Sequence, residues 1–396
     1  MREAVIVEAV RSAVGRREGK LKGTHPADLL GNVLSGLIDR SGIDPELVDD
    51  VVTGCVDQVG EQSLNIGRNA WLGAGLPESV PATTLDRQCG SSQQAAHFAA
   101  QGVISGAYDV AIAAGVESMT RVPMLSNIIG QNPFGNGMLD RYGDTLVPQG
   151  LSAEMIAAKW GITREEVDGI ALESHRRAAA AADAGSFDNE ILPIKVTLDD
   201  GSVEEFAADE GIRRTTSAEK LAGLRPAFYS EPTAERYPDL PWVVTAGNSS
   251  QISDDAAALL VMTPEKAKEL GLTPRWRFST FALAGTDPIT MLTGPIPATQ
   301  KALAKAGMTV DDIDHFEINE AFASVVAAWL RETKADPARV NPRGGAIALG
   351  HPLGGSGGRL MTTMLHALEQ TGGRFGLQSM CEGGGLANAT IIERLG

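Results

Sequence analysis

The sequence predicts an α/β fold around a mostly parallel, buried sheet. Short β-branched or apolar runs alternate with helical patterns in the first third of the chain, the rhythm that lays helices over parallel strands. That rhythm returns in the last third at a nearly constant spacing. Glycine supplies 45 of the 396 residues, above the ordinary share of about 7%. The backbone therefore turns tightly, or approaches other groups closely, at many points.

The elements follow in order. Residues 4–10 form a first strand. Residues 25–40 set Leu29, Leu30, Val33, Leu34 and Leu37 at helical spacing. A strand over 48–56, a helix over 62–73, a strand over 82–88, a helix over 91–105 and a strand over 109–115 come next. SGIDPELVDDVVTG from Ser41 lies on AGMTVDDIDHFEIN from Ala306 at an offset of 265, matching Gly42 with Gly307, Val48 with Ile313, Asp49 with Asp314 and Val51 with Phe316. AYDVAIAAG from Ala107 lies on RFGLQSMCE from Arg374 at an offset of 267. The turn holding Cys89 falls near the turn holding His351. This reads as two copies of one α/β domain, against the plainer account of generic likeness between βα units. Between the copies, 120–244 is polar, rich in Gly and Pro, and without the rhythm. It has helical stretches at 153–159 and 164–183 and a basic cluster, Arg213, Arg214, Lys220 and Arg225. A long insertion of this kind is expected to be a loop domain over a site.

Composition excludes several classes. Lys and Arg total 34 against 50 Asp and Glu, a formal charge of −16. So acidic a chain is a poor partner for nucleic acid or an anionic membrane surface. Hydrophobic residues at 43% and charged residues at 21% are ordinary for a globular protein and exclude disorder. The length suggests two to three domains that need no disulfide or metal to hold a core. Cys55, Cys89 and Cys381 make no disulfide framework and read as reduced thiols in the cytoplasm. No apolar run reaches 18 residues, so no membrane span is expected. The amino-terminal apolar run, broken by Glu8, reads as a strand rather than a signal peptide. The closing IIERLG carries no receptor-read address.

Four residues could carry chemistry. Cys89 lies in TTLDRQCGSSQQAAHFAA, where a strand ends and a small-residue helix starts at Ser91 or Ser92. Free N–H groups and the helix dipole there are expected to lower a thiol from its usual pKa of about 8.5. The same placement also suits a small buried hydrophobe. His351 lies in AIALGHPLGGSGGRLMTTMLHAL, a glycine-rich turn in the repeat position of the Cys89 turn. Sites in such sheets gather at the C-terminal ends of strands, where both residues fall. Cys381 precedes Gly383 to Gly385, whose N–H groups suit a developing negative charge. Asn319 and Glu320, in HFEINEAFASVV, end a strand and open a helix, with Asn319 at the repeat position of Gly54. Its amide either holds a water or caps the helix. No Cys or His pair has metal-ligand spacing, so no metal is expected. GGSGG at 354–358 lacks the P-loop lysine, and no GxGxxG follows the first strand, which argues against nucleotide and nicotinamide sites.

With these segments in view, the chain resembles a thiolase (acetyl-CoA acyltransferase) over essentially its whole length. The matches are DRQCGSSQQA around Cys89, VVTAGNSSQISD with Ala246 and Ser250, NEAFA at 319–323, GHPLGGSGGR from Gly350 and CEGGG from Cys381, joined by LRPAF at 224–228 and MLTGPIPA at 291–298. Ketoacyl synthases, from the same wider superfamily, pair their Cys with two His or with His and Asn, and lack the second Cys.

The resemblance implies a thiolase-type αβαβα five-layer core from two duplicated βαβαβαββ halves, with an inserted loop domain. The halves would be 1–119 plus 250–272 and 273–396, with the loop domain at 120–249. It implies a homodimer, commonly paired into a homotetramer, that uses coenzyme A and acyl-CoA as substrates without a tightly bound cofactor. By the family pattern Cys89 is the acylated nucleophile, His351 accepts its proton, and Cys381 is the acid/base at the α-carbon. Asn319 holds a water that forms one oxyanion hole with His351, and the N–H groups of Cys89 and Gly383 form the other. Ser250, Ala246 and Arg225 resemble the coenzyme A surface, and Phe322 and Met291 the contacts to pantetheine and acyl group. Such chemistry makes or breaks a C–C bond beside a thioester: two carbonyls develop charge in turn, and a covalent thioester divides the reaction in two. Two departures stand out. Asp255 occupies a position where most relatives carry Gly, which is expected to change packing near the coenzyme A cleft. Gln149 stands where short-chain biosynthetic members carry Met, which opens room for a longer, branched or cyclic 3-ketoacyl group. A degradative thiolase is the leading reading. A thiolase-like binding protein without turnover and a ketoacyl synthase are the alternatives.

Overall fold

A computed structural model describes residues 2–396. In the first part of the chain lie β1 (Val5–Ser12), β2 (Gly15–Arg16), α1 (Pro26–Ser41), β3 (Asp50–Gly54), α2 (Ile66–Gly73), β4 (Ala82–Leu85), α3 (Ser91–Ser105) and β5 (Val110–Ser118). The middle holds α4 (Asn136–Tyr142), α5 (Gln149–Trp160), α6 (Arg164–Asp183), β6 (Ile191–Leu192), the hairpin β7 (Ile194–Thr197) and β8 (Val203–Phe206), α7 (Ala218–Ala222) and α8 (Glu231–Arg236). Then come β9 (Ser253–Met262), α9 (Pro264–Glu269), β10 (Trp276–Gly285), α10 (Pro295–Ala306), β11 (His315–Ile318), α11 (Ala323–Thr333), α12 (Ala346–Leu349), α13 (Ser356–Thr371), β12 (Phe375–Glu382) and β13 (Leu386–Arg394). The helices expected over 91–105 and 164–183 form over those residues. The expected first strand runs on to Ser12, and the helix expected over 62–73 starts only at Ile66, after the Asn65 side chain caps Arg68 N–H.

The strands follow the order β11-β12-β13-β10-β1-β9-β5-β3-β4. The expectation of a mostly parallel sheet needs correction. β3 runs parallel to β4 and β5, and β11 to β12, but β9 and β13 run antiparallel to both of their neighbours. The glycine turn 383–385 explains one case, since a short connection joins only antiparallel strands. The two halves meet where Val5 and Ile6 pair with Arg277 and Trp276.

Packing arranges the helices in layers. Ala95, Ala96, Ala99 and Val103 of α3 and Met361, Met364 and Leu365 of α13 share one buried cluster with β1, β5, β9 and β10. These two helices lie between the sheet halves. α1 and α2 cover the outer face of one half, and α10 and α11 that of the other. The result is αβαβα. Small residues let the inner helices approach: a Cβ on Gly357 would collide with the Gln93 backbone.

The repeat is more regular than the sequence alignment suggested. Asp49 Oδ2 accepts from the N–H groups of Asp109 and Val110. Asp314 Oδ2 accepts from those of Arg374 and Phe375. The offset therefore stays at 265, and the expected 267 was a two-residue slip along a strand with no polar landmark. Segment 120–249 is also not devoid of core strands, because β6 pairs with β1 through Arg11–Ile191 and Ser12–Leu192.

Candidate active site

Cys89 sits between β4 and α3. The residue before it, Gln88, has a φ of 48°, a left-handed conformation uncommon for residues other than glycine. Asp86 accepts from the Gln88 N–H at 2.6 Å and stabilises this bend. Helix α3 begins two residues later with Gly90 at its N-cap and no side-chain cap. The thiol is nearly enclosed. Burial, and then the neighbouring Cys381 and Glu382, push it well above its ordinary value. This reverses the expectation that the helix end would stabilise a thiolate: desolvation outweighs the dipole. The resting group is a neutral thiol that needs a base.

His351 is the candidate for it. Its Nδ1 lies 2.6 Å from Ser356 Oγ, whose hydroxyl donates to Pro352 O at 2.7 Å. Ser356 Oγ thus accepts from Nδ1–H, which leaves the Nε2 lone pair free. Burial and the Arg359 charge pull His351 down to about 3, so the ring is neutral. The backbone is held by His351 N–H to Gln251 O at 3.0 Å. Asn319 joins the other groups: its Nδ2 lies 3.4 Å from His351 Nε2 and 3.6 Å from Cys381 Sγ. Its Oδ1 is buried without a partner, and α11 has no side-chain cap, so the amide does not cap that helix. Burial raises Cys381 to about 12, opposed by the Asn319 contact. Beneath them Glu320 accepts from Ser174, Asn341 and Ile347 N–H, fixing the approach to α12. Three of the four expected groups are thus directly joined, and Cys89 stands close enough to Cys381 that an anion on one sulfur would oppose an anion on the other. Among the described residues no trio of His, Cys, Asp or Glu side chains converges as a metal site.

The apolar wall is shared. Met291, Phe322, Ile347 and Cys381 belong to one cluster, and Phe322 meets Phe228 edge to face at 6.2 Å. The Phe228 ring occupies the space a Cβ on Gly150 would need. A Cβ on Gly383 would lie 3.0 Å from Gln88 Oε1 and 3.3 Å from Gln149 Nε2, so Gln149 faces the glycine beside Cys381. Ser250 N–H donates to Ala321 O at 2.9 Å, while Ala246 is exposed at the head of that turn.

A surface cleft is lined by His175, Arg213, Arg214, Thr216, Lys220 and Gly247, among others. Three members of the basic cluster are there. Arg225 is exposed and lies outside the lining. Arg214 pairs with Asp183 at 2.8 Å, while Asp209, a few residues before the cluster, pairs with the buried Arg11 at 2.8 Å. Arg213 connects inward, its guanidinium 3.4 Å from Gln251 Oε1. Asp255 is absent from this lining, contrary to expectation. It is fully buried on β9 without a hydrogen-bond partner, and a Cβ on Gly355 would collide with its Oδ1. It lies under the His351 turn.

Sequence reasoning missed Ser356, Gln251 and His175. Ser356 lay inside the quoted motif, five residues after His351, where a signal existed. His175 resembled any polar residue on the long helix, and its role is visible only through Arg213 N–H, which it accepts at 3.1 Å.

Comparison with known proteins gives a consistent picture. The thiolase N-terminal domain family matches residues 4–265 and the thiolase C-terminal domain family residues 272–394. The chain is 51% identical to the steroid 3-ketoacyl-CoA thiolase FadA6 of Mycobacterium tuberculosis, with 100% of this chain and 95% of that protein covered. It is 43% identical to a 3-ketoacyl-CoA thiolase of Aliivibrio salmonicida, with 100% of both covered. The crystal structure of the Bacillus anthracis acetyl-CoA acetyltransferase superposes with a TM-score of 0.89 at 37% identity, covering 100% of this chain and 99% of that one.

Proposed function

The chain belongs to the thiolase family, and we propose that within it the protein cleaves bulky 3-ketoacyl-CoA esters in the degradative direction. It is an acyltransferase that acts on acyl-CoA and coenzyme A. The observation that carries the proposed mechanism is the Asn319 amide, within reach of both His351 Nε2 and Cys381 Sγ. His351 Nε2 takes the proton of Cys89, and Cys89 Sγ attacks the 3-keto carbon. Asn319, through a water, and His351 hold one oxyanion, and the N–H groups of Cys89 and Gly383 hold the other. The C2–C3 bond breaks, Cys381 protonates C2, and acetyl-CoA leaves. Coenzyme A gives its proton to the Cys381 thiolate, its sulfur takes the acyl group from Cys89, and the departing Cys89 sulfur recovers its proton from His351.

Gln149 beside Gly383 supports the larger acyl group, as does the likeness to a relative named for steroid substrates. Arg213 and Lys220 offer the nucleotide positive charge in the cleft, Ala246 and Ser250 act from the segment that carries its lining residue Gly247, and Arg225 steers from outside. Met291 and Phe322 wall the pantetheine channel. Residues 120–249 act as the loop domain over this channel, between halves 1–119 plus 250–272 and 273–396. A homodimer, paired into a tetramer, is supported by the open outer edge of β4 and by exposed Leu64 and Ile129. Three free thiols support a cytoplasmic location.

The test is a panel of 3-ketoacyl-CoA esters, from acetoacetyl-CoA to a steroid-sized ring system, incubated with coenzyme A while the enolate absorbance is followed. A kcat/KM at least about tenfold higher for the ring-bearing ester, roughly the effect of 1.4 kcal/mol, is expected. A preference for acetoacetyl-CoA would overturn the substrate reading.

A further inference from the structure

The duplication exposes one buried carboxyl that the mechanism leaves unused. Glu117 and Glu382 are equivalent at the 265-residue offset. Glu117 is fully occupied: it accepts from Val56 N–H at 2.9 Å, Asp57 N–H at 3.1 Å, Gln62 Nε2 at 2.6 Å and Gly354 N–H at 2.8 Å. It ties down the turn after His351. At the same offset, Gly354 corresponds to Cys89. Glu382 therefore lies behind the nucleophile as Glu117 lies behind the His351 turn. A Cβ on Gly90 would collide with Glu382 Oε1. Yet neither carboxyl oxygen of Glu382 has a hydrogen-bond partner, though the side chain is buried.

The reason lies in what replaced its donors. Segment 56–62, which serves Glu117, corresponds to 321–327, which has become the active-site wall and the start of α11. Its Ala323 N–H donates to Asn248 O instead. The carboxyl is left facing Arg87 and Asp86 from the turn before α3, Cys89 on that turn, and Asn388 from β13, with Cys381 next to it on its own strand. Arg87 Nε is itself buried without a partner, and Asn388 gives its Nδ2 to Gly90 O at 3.0 Å.

We propose that Glu382 is a positioning residue for acyl transfer, a neutral acid behind Cys89 whose ionisation holds back formation of the Cys89 thiolate. The argument is electrostatic. An anion in this enclosed space opposes a second anion on the adjacent sulfur. Without the set of donors that serves Glu117, the carboxyl keeps its proton: burial, partly offset by the Arg87 charge and the Asn388 backbone N–H, pushes it up to about 8. Below that value the nucleophile has a neutral neighbour, and above it a charged one. The inference rests on Cys89 being the acylated thiol.

The experiment follows alkylation of Cys89 by iodoacetamide in the full-length enzyme, resolved by peptide mass spectrometry, between about pH 6 and pH 10, on either side of the Cys reference value. In the wild type the rate should rise and then bend near the Glu382 value. In E382Q the bend should vanish. The ratio of the rate at about pH 9.5 to that at about pH 7 should then grow on the order of tenfold, the effect of one pKa unit. Superimposable profiles, or a uniform loss in E382Q at every pH, would overturn the proposal. If E382Q does not fold, R87Q serves: removing the cation should move the wild-type bend to higher pH, and an unmoved bend overturns the proposal. Alkylation at Cys55 or Cys381 with Cys89 untouched would overturn the assignment of the nucleophile, and this inference with it.

Discussion

Ser356 Oγ lies 2.6 Å from His351 Nδ1 and has already committed its own proton to Pro352 O. That contact, made within one turn, selects the imidazole tautomer with a free Nε2. A Ser356→Ala variant loses the selection. Both half-reactions should slow, with kcat falling more than KM rises. The loss should lie within the roughly 10²–10⁴-fold contribution of a general base. Single-turnover acylation with acetyl-CoA measures the first half alone. Unchanged acylation would show that the tautomer is set elsewhere.

The pH dependence should lack a histidine limb. His351 is held at about 3, against an ordinary value near 6.5. Its neutral form is the competent base, so lowering the pH through about 6.5 leaves it unprotonated. The kcat/KM for thiolysis should stay level down to about pH 5 as far as this ring is concerned. An acid limb centred near the ordinary value, abolished by substituting His351 but no other histidine, would contradict the burial argument.

The two thiols should separate by experiment. Mixing with acetyl-CoA should leave an acetyl adduct on Cys89. Cys381→Ala should still form that adduct while losing about 10²–10⁴-fold in exchange of the α-protons, read by deuterium uptake. Full thiolysis by that variant would remove Cys381 from the acid/base role.

Asp255 should matter to stability and not to coenzyme A. Asp255→Gly removes one of the acids that face Arg359, which is fully buried and without a hydrogen-bond partner, and leaves it Glu317 and Asp209. Stranding a buried charge entirely costs about 3–5 kcal/mol, so the loss should fall below that. Thermal unfolding should show a lowered Tm, partly recovered in Asp255→Gly with Arg359→Met, while KM for coenzyme A holds. A normal Tm with a raised KM would restore the cleft-packing expectation.

Neutralising Arg213 or Lys220 should raise KM for coenzyme A by about two- to fivefold, the scale of partly exposed charges. Neutralising Arg225 should do less, and its effect should fade with salt, because a residue outside the lining acts only through a field screened over about 8 Å. Equal effects for all three would place the nucleotide against Arg225.

Much of this was legible in one dimension. Alternating strand and helix patterns, glycines at turns and the recurrence of Asp49 as Asp314 follow from local chemistry, since periodicity and turn preference are properties of neighbouring residues. Cys89, Asn319, His351 and Cys381 could be picked out because each ends a strand or sits in a glycine turn. The slipped offset for β12 and the misplaced role of Asp255 share a cause. Both depend on which strands pair, and an apolar strand offers little to fix its register without its partner.

What the sequence determined by itself was the inventory: two copies of an α/β unit, an insertion between them, and four reactive groups at strand ends and glycine turns. The run before His351, which reads as a strand, folds instead as the short helix α12. What only the tertiary structure decided was the chemical state of those groups. Enclosure between α3, α13 and the sheet halves makes Cys89 a thiol rather than a thiolate and keeps His351 neutral. It leaves Glu382 without the donors that its repeat-mate Glu117 enjoys. Desolvation and hydrogen bonding depend on atoms brought from hundreds of residues away, so identical residue types at equivalent positions acquire different surroundings.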